Sequence, residues 1–189
     1  MPLDNPTLIV ISGGPGSGKT TVLEYLQKLG HHVAPEVARQ IIQEQIQLKG
    51  DPLPWRDREA YTRLMLERSI ESYKTHSAHA GPVFFDRGIP DTLGYARLIG
   101  LADEALIREA CQLYRYGRTV FLAPPWPEIY TTDTERKQDF AEAILTFEVL
   151  SDTYHDCGYE VIELPKSTPA ERADFILRRL AQIGIPALW

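Results

Sequence analysis

Cysteine is scarce. The 189 residues hold only Cys111 and Cys157. Two thiols are too few for a disulfide-stapled scaffold or a four-thiolate zinc site. They fit a reducing, cytoplasmic setting in which both stay reduced. Positive charge is in deficit as well: 20 Lys and Arg against 26 Asp and Glu leave a formal net charge of −6. That balance supplies no general attraction to nucleic acid or to an anionic membrane. Long apolar runs are missing, since none approaches the ~20 residues of a membrane span. The polar, Pro-containing start reads as no signal peptide. There is no internal repeat and no low-complexity tract. What remains is an apolar share of 43%, ordinary for a folded globule. The length implies one domain over residues 1–189, burying roughly 70% of its unfolded surface.

The chain alternates two kinds of segment. Short apolar runs predict strands at Thr7–Ser12, His32–Ala34, Val83–Phe85 (ending at Asp86), Thr119–Ala123 and Tyr159–Leu164. The first lacks period-2 alternation, so it reads as buried on both faces, whereas the last alternates imperfectly and suits a sheet edge. Between them lie helical stripes: Val22 to Leu29, Val37 to Ile46, Arg58 to about His76, Asp91–Ile99, Asp103–Tyr114, and Phe140 to Tyr154. A last helix opens with Thr168 as N-cap and Pro169 at its first position. Strands alternating with helices predict an α/β domain, a parallel sheet covered on both faces.

Gly13-Gly14-Pro15-Gly16-Ser17-Gly18-Lys19-Thr20 matches G-x-x-x-x-G-K-[ST] in full, with Thr21 continuing into the helix. Such a loop points backbone N–H groups at phosphate oxygens, which glycine permits without Cβ clashes. The helix that follows offers its N-terminus to the same anion. Lys19 adds a point charge at the outer phosphates, from what reads as an exposed position, and the Thr20 hydroxyl is placed for Mg²⁺. A strand before the loop and an amphipathic helix after it are the context this motif requires. The chain is therefore expected to bind a nucleoside triphosphate. Asp86, an acid ending an apolar strand, fits a Mg²⁺ ligand or an ordinary strand-end charge. Arg87 can reach a phosphate or pair with an acid. His31 and His32 read as turn filler, and His76 and His79 as capping or solvent-facing groups. Trp55, Arg56, Arg58 and Tyr61 form either an acceptor wall or an ordinary amphipathic helix start.

The loop, the segment Pro35-Glu36-Val37-Ala38-Arg39, and Asp86-Arg87 with Asp91 and Tyr95 downstream form an ordered set. It resembles the small P-loop ATP-binding domains of the NadR type, AAA-like ATPases whose known members include nicotinamide riboside kinases. More broadly it is similar to nucleoside and nucleotide kinases. The resemblance implies a three-layer α/β/α fold with a five-stranded parallel sheet in the order 2-3-1-4-5. It implies transfer of the ATP γ-phosphoryl group, with Mg²⁺, to the hydroxyl of a small nucleoside-like or ribosyl acceptor. On that resemblance Glu36 is the acid facing the acceptor; its residue type alone fits equally a charge at a helix start. Arg39, Asp91 and Tyr95 would also contact the acceptor. Residues 126–139 would be a lid, with Arg136 its cation. Lys19, Arg87 and Arg136 would offset developing charge. Two other classes fit the phosphate loop: a switch that slowly hydrolyses ATP or GTP, and a nucleotide-binding subunit without chemistry.

Overall fold

In the computed structural model, residues 4–130 and 140–185 are described. Five strands form one parallel sheet: β1 (Leu8–Gly13), β2 (His32–Ala34), β3 (Val83–Asp86), β4 (Thr119–Ala123) and β5 (Glu160–Glu163). Their order is β2-β3-β1-β4-β5. Seven helices pack on it among the described residues: α1 (Lys19–Lys28), α2 (Val37–Leu48), α3 (Arg58–Ser77), α4 (Ile89–Leu98), α5 (Ala105–Leu113), α6 (Phe140–Asp156) and α7 (Pro169–Gln182).

The unbroken apolar character of β1 has a simple cause. Leu8 and Val10 face one layer, with Phe85, Ile89, Leu93, Val120 and Tyr154. Ile9 and Ile11 face the other, with Val22, Leu26, Phe121, Ile176 and Leu180. A strand covered by helices on both sides has no solvent face on which to alternate. A smaller cluster of Ile41, Tyr61 and Met65 holds α2 against α3, with Tyr95 of α4 packed onto it.

Parallel strands end on the same side, and in open α/β sheets ligands bind beyond those ends. The register pairs Ile11 with Asp86 and Gly13 with Ala123. The β1–α1 loop, the β2–α2 turn and the end of β3 therefore open on one face. Gly13 is required by close approach as well as by its φ of 143°. A Cβ there would stand 2.6 Å from the Ala123 carbonyl oxygen, in a sheet centre that cannot give way.

Helix α4 begins at Ile89, not Asp91, because Pro90 sits in the first turn, where its missing N–H costs nothing. Helix α5 begins at Ala105, and Asp103 accepts from the Ala105 N–H at 3.0 Å from outside the helix. The histidines are not filler. His32 Nε2 lies 2.9 Å from His76 Nδ1, and the His79 ring stacks on His32 at 4.4 Å. This pins the outer strand β2 to the end of α3. No cluster of three or more His, Cys, Asp or Glu among the described residues is arranged to hold a metal ion. Both cysteines are free thiols, Cys111 being buried.

Candidate active site

The phosphate loop turns from β1 into α1 through Gly18, whose φ of 80° lies in the left-handed region. Within the loop, Ser17 Oγ donates to the Gly14 carbonyl at 2.8 Å, and Thr21 Oγ1 donates back to the Gly18 carbonyl at 2.9 Å. Thr20 lies exposed in the first turn of α1. Lys19 departs from expectation: it is only 6% exposed. The turn at Gly18 directs it inward, toward the acids that follow β2 and β3. Burial lowers its pKa, and the Arg87 charge adds to that; Asp86, Glu36 and Asp91 oppose it.

Opposite Lys19 stands a charged lattice. Arg87 Nε donates to Glu36 Oε1 at 3.1 Å, and Arg87 Nη1 donates to Asp91 Oδ1 at 3.1 Å. Arg87 thus bridges the start of α2 to the first turn of α4, reaching a partner 51 positions back in the chain. Its φ of 73° is left-handed, unusual for a residue with a side chain. Such a conformation costs on the order of 1–3 kcal/mol. The backbone hydrogen bond from Arg87 N–H to the Ile11 carbonyl, 3.0 Å, and the two carboxylates hold it there.

Burial alone would raise the Glu36 carboxyl. The Arg87 charge, Lys19, the Arg87 hydrogen bond and Arg39 together outweigh it, and the pKa falls to about 2. Asp86 moves the other way: burial raises it, against Lys19 and Arg87, with Glu36 and Asp91 reinforcing the rise. Asp86 Oδ1 is buried and has no hydrogen-bond partner among the described residues. A buried carboxylate oxygen with nothing to bind is costly unless a cation completes it. That orphaned oxygen, at a strand end beside the phosphate loop, fits a Mg²⁺ ligand.

The acidic limb of stability tests this lattice. Glu36 has a folded pKa below its ordinary 4.5. Its contribution is therefore present above pH 4.5 and lost as pH falls toward 2. The shift corresponds to about 3 kcal/mol. Relative to Glu36→Gln, the parent should lose that much more stability between these pH values in urea titrations. Parallel curves would show that the ion pair adds nothing.

The remaining expected residues divide. Asp91 is 7% exposed, and the hydrogen bonds it makes go to neighbouring protein groups. Tyr95 meets Tyr61 edge-to-face at 5.4 Å. Arg39 is half-buried on the first turn of α2, close enough to lower the Glu36 pKa but not bonded to it. Trp55, Arg56 and Arg58 are exposed. A pocket between Val37, Met65, Ser69 and Thr92 reaches Asp86 and Arg87. Arg136 lies outside the described residues, as does most of the segment expected to be a lid. Its beginning is described: a 3₁₀ turn at Pro127–Ile129 leads to Tyr130, whose ring lies on the phosphate loop. A Cβ at Gly16 would come within 2.7 Å of that ring.

Two residues here escaped the sequence reading. Arg172 of α7 is 1% exposed. It donates to the Ser17 carbonyl at 2.8 Å and to the Pro165 carbonyl at 2.7 Å, with its guanidinium 5.1 Å from the Trp126 ring centre. The available signal was an arginine directly preceding the apolar stripe of that helix. The second is Tyr154, which the stripe of α6 presents as a plain core residue.

These features define a P-loop domain with an acidic and cationic site across from the loop. The chain belongs to the AAA_28 family of AAA domains, whose model matches residues 8–172. No curated protein matches its sequence. In fold it is similar to NadR in complex with NR, at 20% identity and a TM-score of 0.72 over 97% of this chain and 54% of that one. The chain thus spans about half the length of that relative. It is also similar to shikimate kinase from Acinetobacter baumannii, at 15% identity, a TM-score of 0.59 and 97% of both chains. A third similar fold is deoxyadenosine kinase from M. mycoides, at 14% identity and a TM-score of 0.58 over 93% of this chain and 99% of that one.

Proposed function

We propose that the chain is a small-molecule kinase that transfers the γ-phosphoryl group of ATP, with Mg²⁺, to a nucleoside-like or ribosyl hydroxyl. One observation carries this reading: Glu36, at the start of α2 after β2, is held by Arg87 at 3.1 Å, separately from Asp86 at the end of β3. Binding and hydrolysing a nucleotide needs the loop, Lys19 and a metal acid. A second carboxylate, fixed by its own arginine on the far side, is what a positioned acceptor needs.

The backbone N–H groups of Gly13 to Lys19, Pro15 excepted, cradle the phosphates, with Thr21 continuing the helix start. Thr20 and Asp86 hold Mg²⁺, which when bound neutralises charge on the transferring group. Arg87 faces Glu36 with one nitrogen and Asp91 with another, which leaves donors of its guanidinium for a phosphoryl oxygen. Glu36, with a pKa of about 2, is too weakly basic to strip an alcohol early. It orients the acceptor hydroxyl and accepts its proton late, as a loose transition state allows. Arg39, Tyr95 and Tyr61 bound the acceptor and Asp91 supports from beneath; Arg136, outside the described residues, is assigned the role of lid cation. The protein acts in the cytoplasm, as one domain, on small molecules rather than on nucleic acid or membrane. Among the described residues no helix is long and apolar enough to cross a membrane.

A panel of nucleosides, vitamins and sugars tests the reading through ADP release. At least one acceptor should raise release well above the acceptor-free rate. Equal release with and without every acceptor would identify a hydrolytic switch. No release at all would identify a binding subunit.

A further inference from the structure

We infer that Tyr154, deep in α6, is a positioning residue that sets the direction of Arg87 through Asp91; the inference deepens the kinase reading and rests on it. Asp91 is nearly buried, and four donors from three parts of the fold converge on its two oxygens. Oδ1 accepts from Ser12 Oγ at 2.5 Å and from Arg87 Nη1 at 3.1 Å. Oδ2 accepts from the Gly88 N–H at 2.8 Å and from the Tyr154 hydroxyl at 2.5 Å. A carboxylate offers about four lone-pair sites, and all four are filled here. Its position is consequently over-determined: it cannot rotate without breaking a buried bond.

That rigidity reaches Arg87 alone among the charged groups. The guanidinium is held between two carboxylates, Glu36 on Nε and Asp91 on Nη1. A planar fork fixed at two nitrogens has a fixed direction for the rest. Tyr154 also bounds the turn sterically. A Cβ at Gly88 would lie 3.1 Å from the Tyr154 hydroxyl oxygen, so the extended Gly88 backbone, next to the left-handed Arg87, rests against that group. Among the described residues the Tyr154 hydroxyl has one hydrogen-bond partner, Asp91. Tyr154 is wholly buried beside Tyr159 and the sheet, where phenylalanine would pack equally well.

Removing the hydroxyl leaves one Asp91 lone pair empty and buried. The carboxylate then shifts toward its remaining donors, Arg87 among them, and the fork swings away from Glu36. Displacements of about 1 Å in such a site can cost up to 10²-fold in rate. Tyr154→Phe should therefore lower kcat for the acceptor roughly 10- to 100-fold, with the Kd for Mg²⁺-ATP and the acceptor KM within about twofold. Ser12→Ala, which empties a site on Oδ1, should act in the same direction and serves if the first variant does not fold.

Two readouts separate positioning from a general loss of structure. In an Arg87→Ala background, Tyr154→Phe should have little further effect on kcat, because a residue acting through Arg87 has nothing left to act on. In protein labelled with ¹⁵N-arginine, the Arg87 Nε–H signal, assigned by its absence in Arg87→Ala, should shift in Tyr154→Phe. The NMR arm needs no acceptor. If the parent shows no acceptor-dependent turnover, the kinase reading fails while the spectrum still decides whether Tyr154 orients Arg87. An unmoved signal overturns the inference. So does an equal loss of kcat in both backgrounds.

Discussion

Lys19→Ala should reduce ATP affinity by roughly 10²- to 10⁴-fold while the fold persists. The size follows from two lost hydrogen bonds to charged phosphate oxygens, each worth about 1.5–3 kcal/mol. Burial sharpens the argument. Lys19 gives up most of its hydration to sit at 6% exposure, and its ammonium is destabilised for it. An arriving triphosphate supplies counter-charge that Asp86, Glu36 and Asp91 provide only in part. The fold should survive because the desolvation cost disappears with the side chain, and the glycine-rich turn does not depend on it. Isothermal calorimetry of Mg²⁺-ATP, alongside a thermal melt, measures both halves. Unchanged affinity in a folded variant would mean that the loop is not a triphosphate site. Collapse of the fold would mean that Lys19 is a structural charge holding the Asp86–Glu36 side of the sheet together.

The contrast between Lys19 and its neighbours shows what a sequence can reveal. The three central strands β1, β3 and β4 were legible because each is a continuous run of largely β-branched and aromatic residues, whereas β2 and β5 are short edge strands with polar positions; β2 and β4 have the expected ends. Parallel strands buried on both faces carry that signal without needing a partner. The phosphate loop was legible for a different reason: its spacing is local, and its glycines are demanded by backbone angles at Gly16 and Gly18. The charged lattice is neither continuous nor local. Glu36 and Arg87 are brought together by β2 pairing with β3, so Glu36 meets Arg87 and not Arg39, its neighbour one turn along. The His32–His76 contact arises from the same strand edge, and no periodicity announces it. Arg172 and Tyr154 were hidden by the opposite fault. The stripe of α6 marks Tyr154 as core, and Arg172 stands just before the stripe of α7; both are buried, and each has a polar group that finds its partner across the fold.

Glu36 and Asp86 are both acids of this lattice, and their opposite shifts separate their jobs. Asp86→Asn should weaken Mg²⁺-dependent ATP binding and depress every phosphoryl-transfer activity, slow transfer to water included. The orphaned Oδ1 is the reason: a neutral amide cannot offer a divalent cation the charge that a carboxylate does. Glu36→Gln keeps the shape and one hydrogen-bond acceptor for Arg87 but removes the charge. ATP affinity and background hydrolysis should stay near parental values, while acceptor turnover should fall on the order of 10²–10⁴-fold, the usual worth of a positioned acid–base group. The low Glu36 pKa, about 2, draws the expectation toward the smaller end of that range, because a weak base contributes through orientation more than through proton removal. The same pKa fixes the pH response. Turnover of the parent should show no acid limb from Glu36 above about pH 4, since the carboxylate is already ionised there. Both variants belong in one assay, with ATP binding, background hydrolysis and acceptor turnover read side by side. Equal losses of ATP affinity would move Glu36 into the metal shell. Full acceptor turnover in Glu36→Gln would leave it as the partner that holds Arg87 in place, and the lattice would then serve the nucleotide alone.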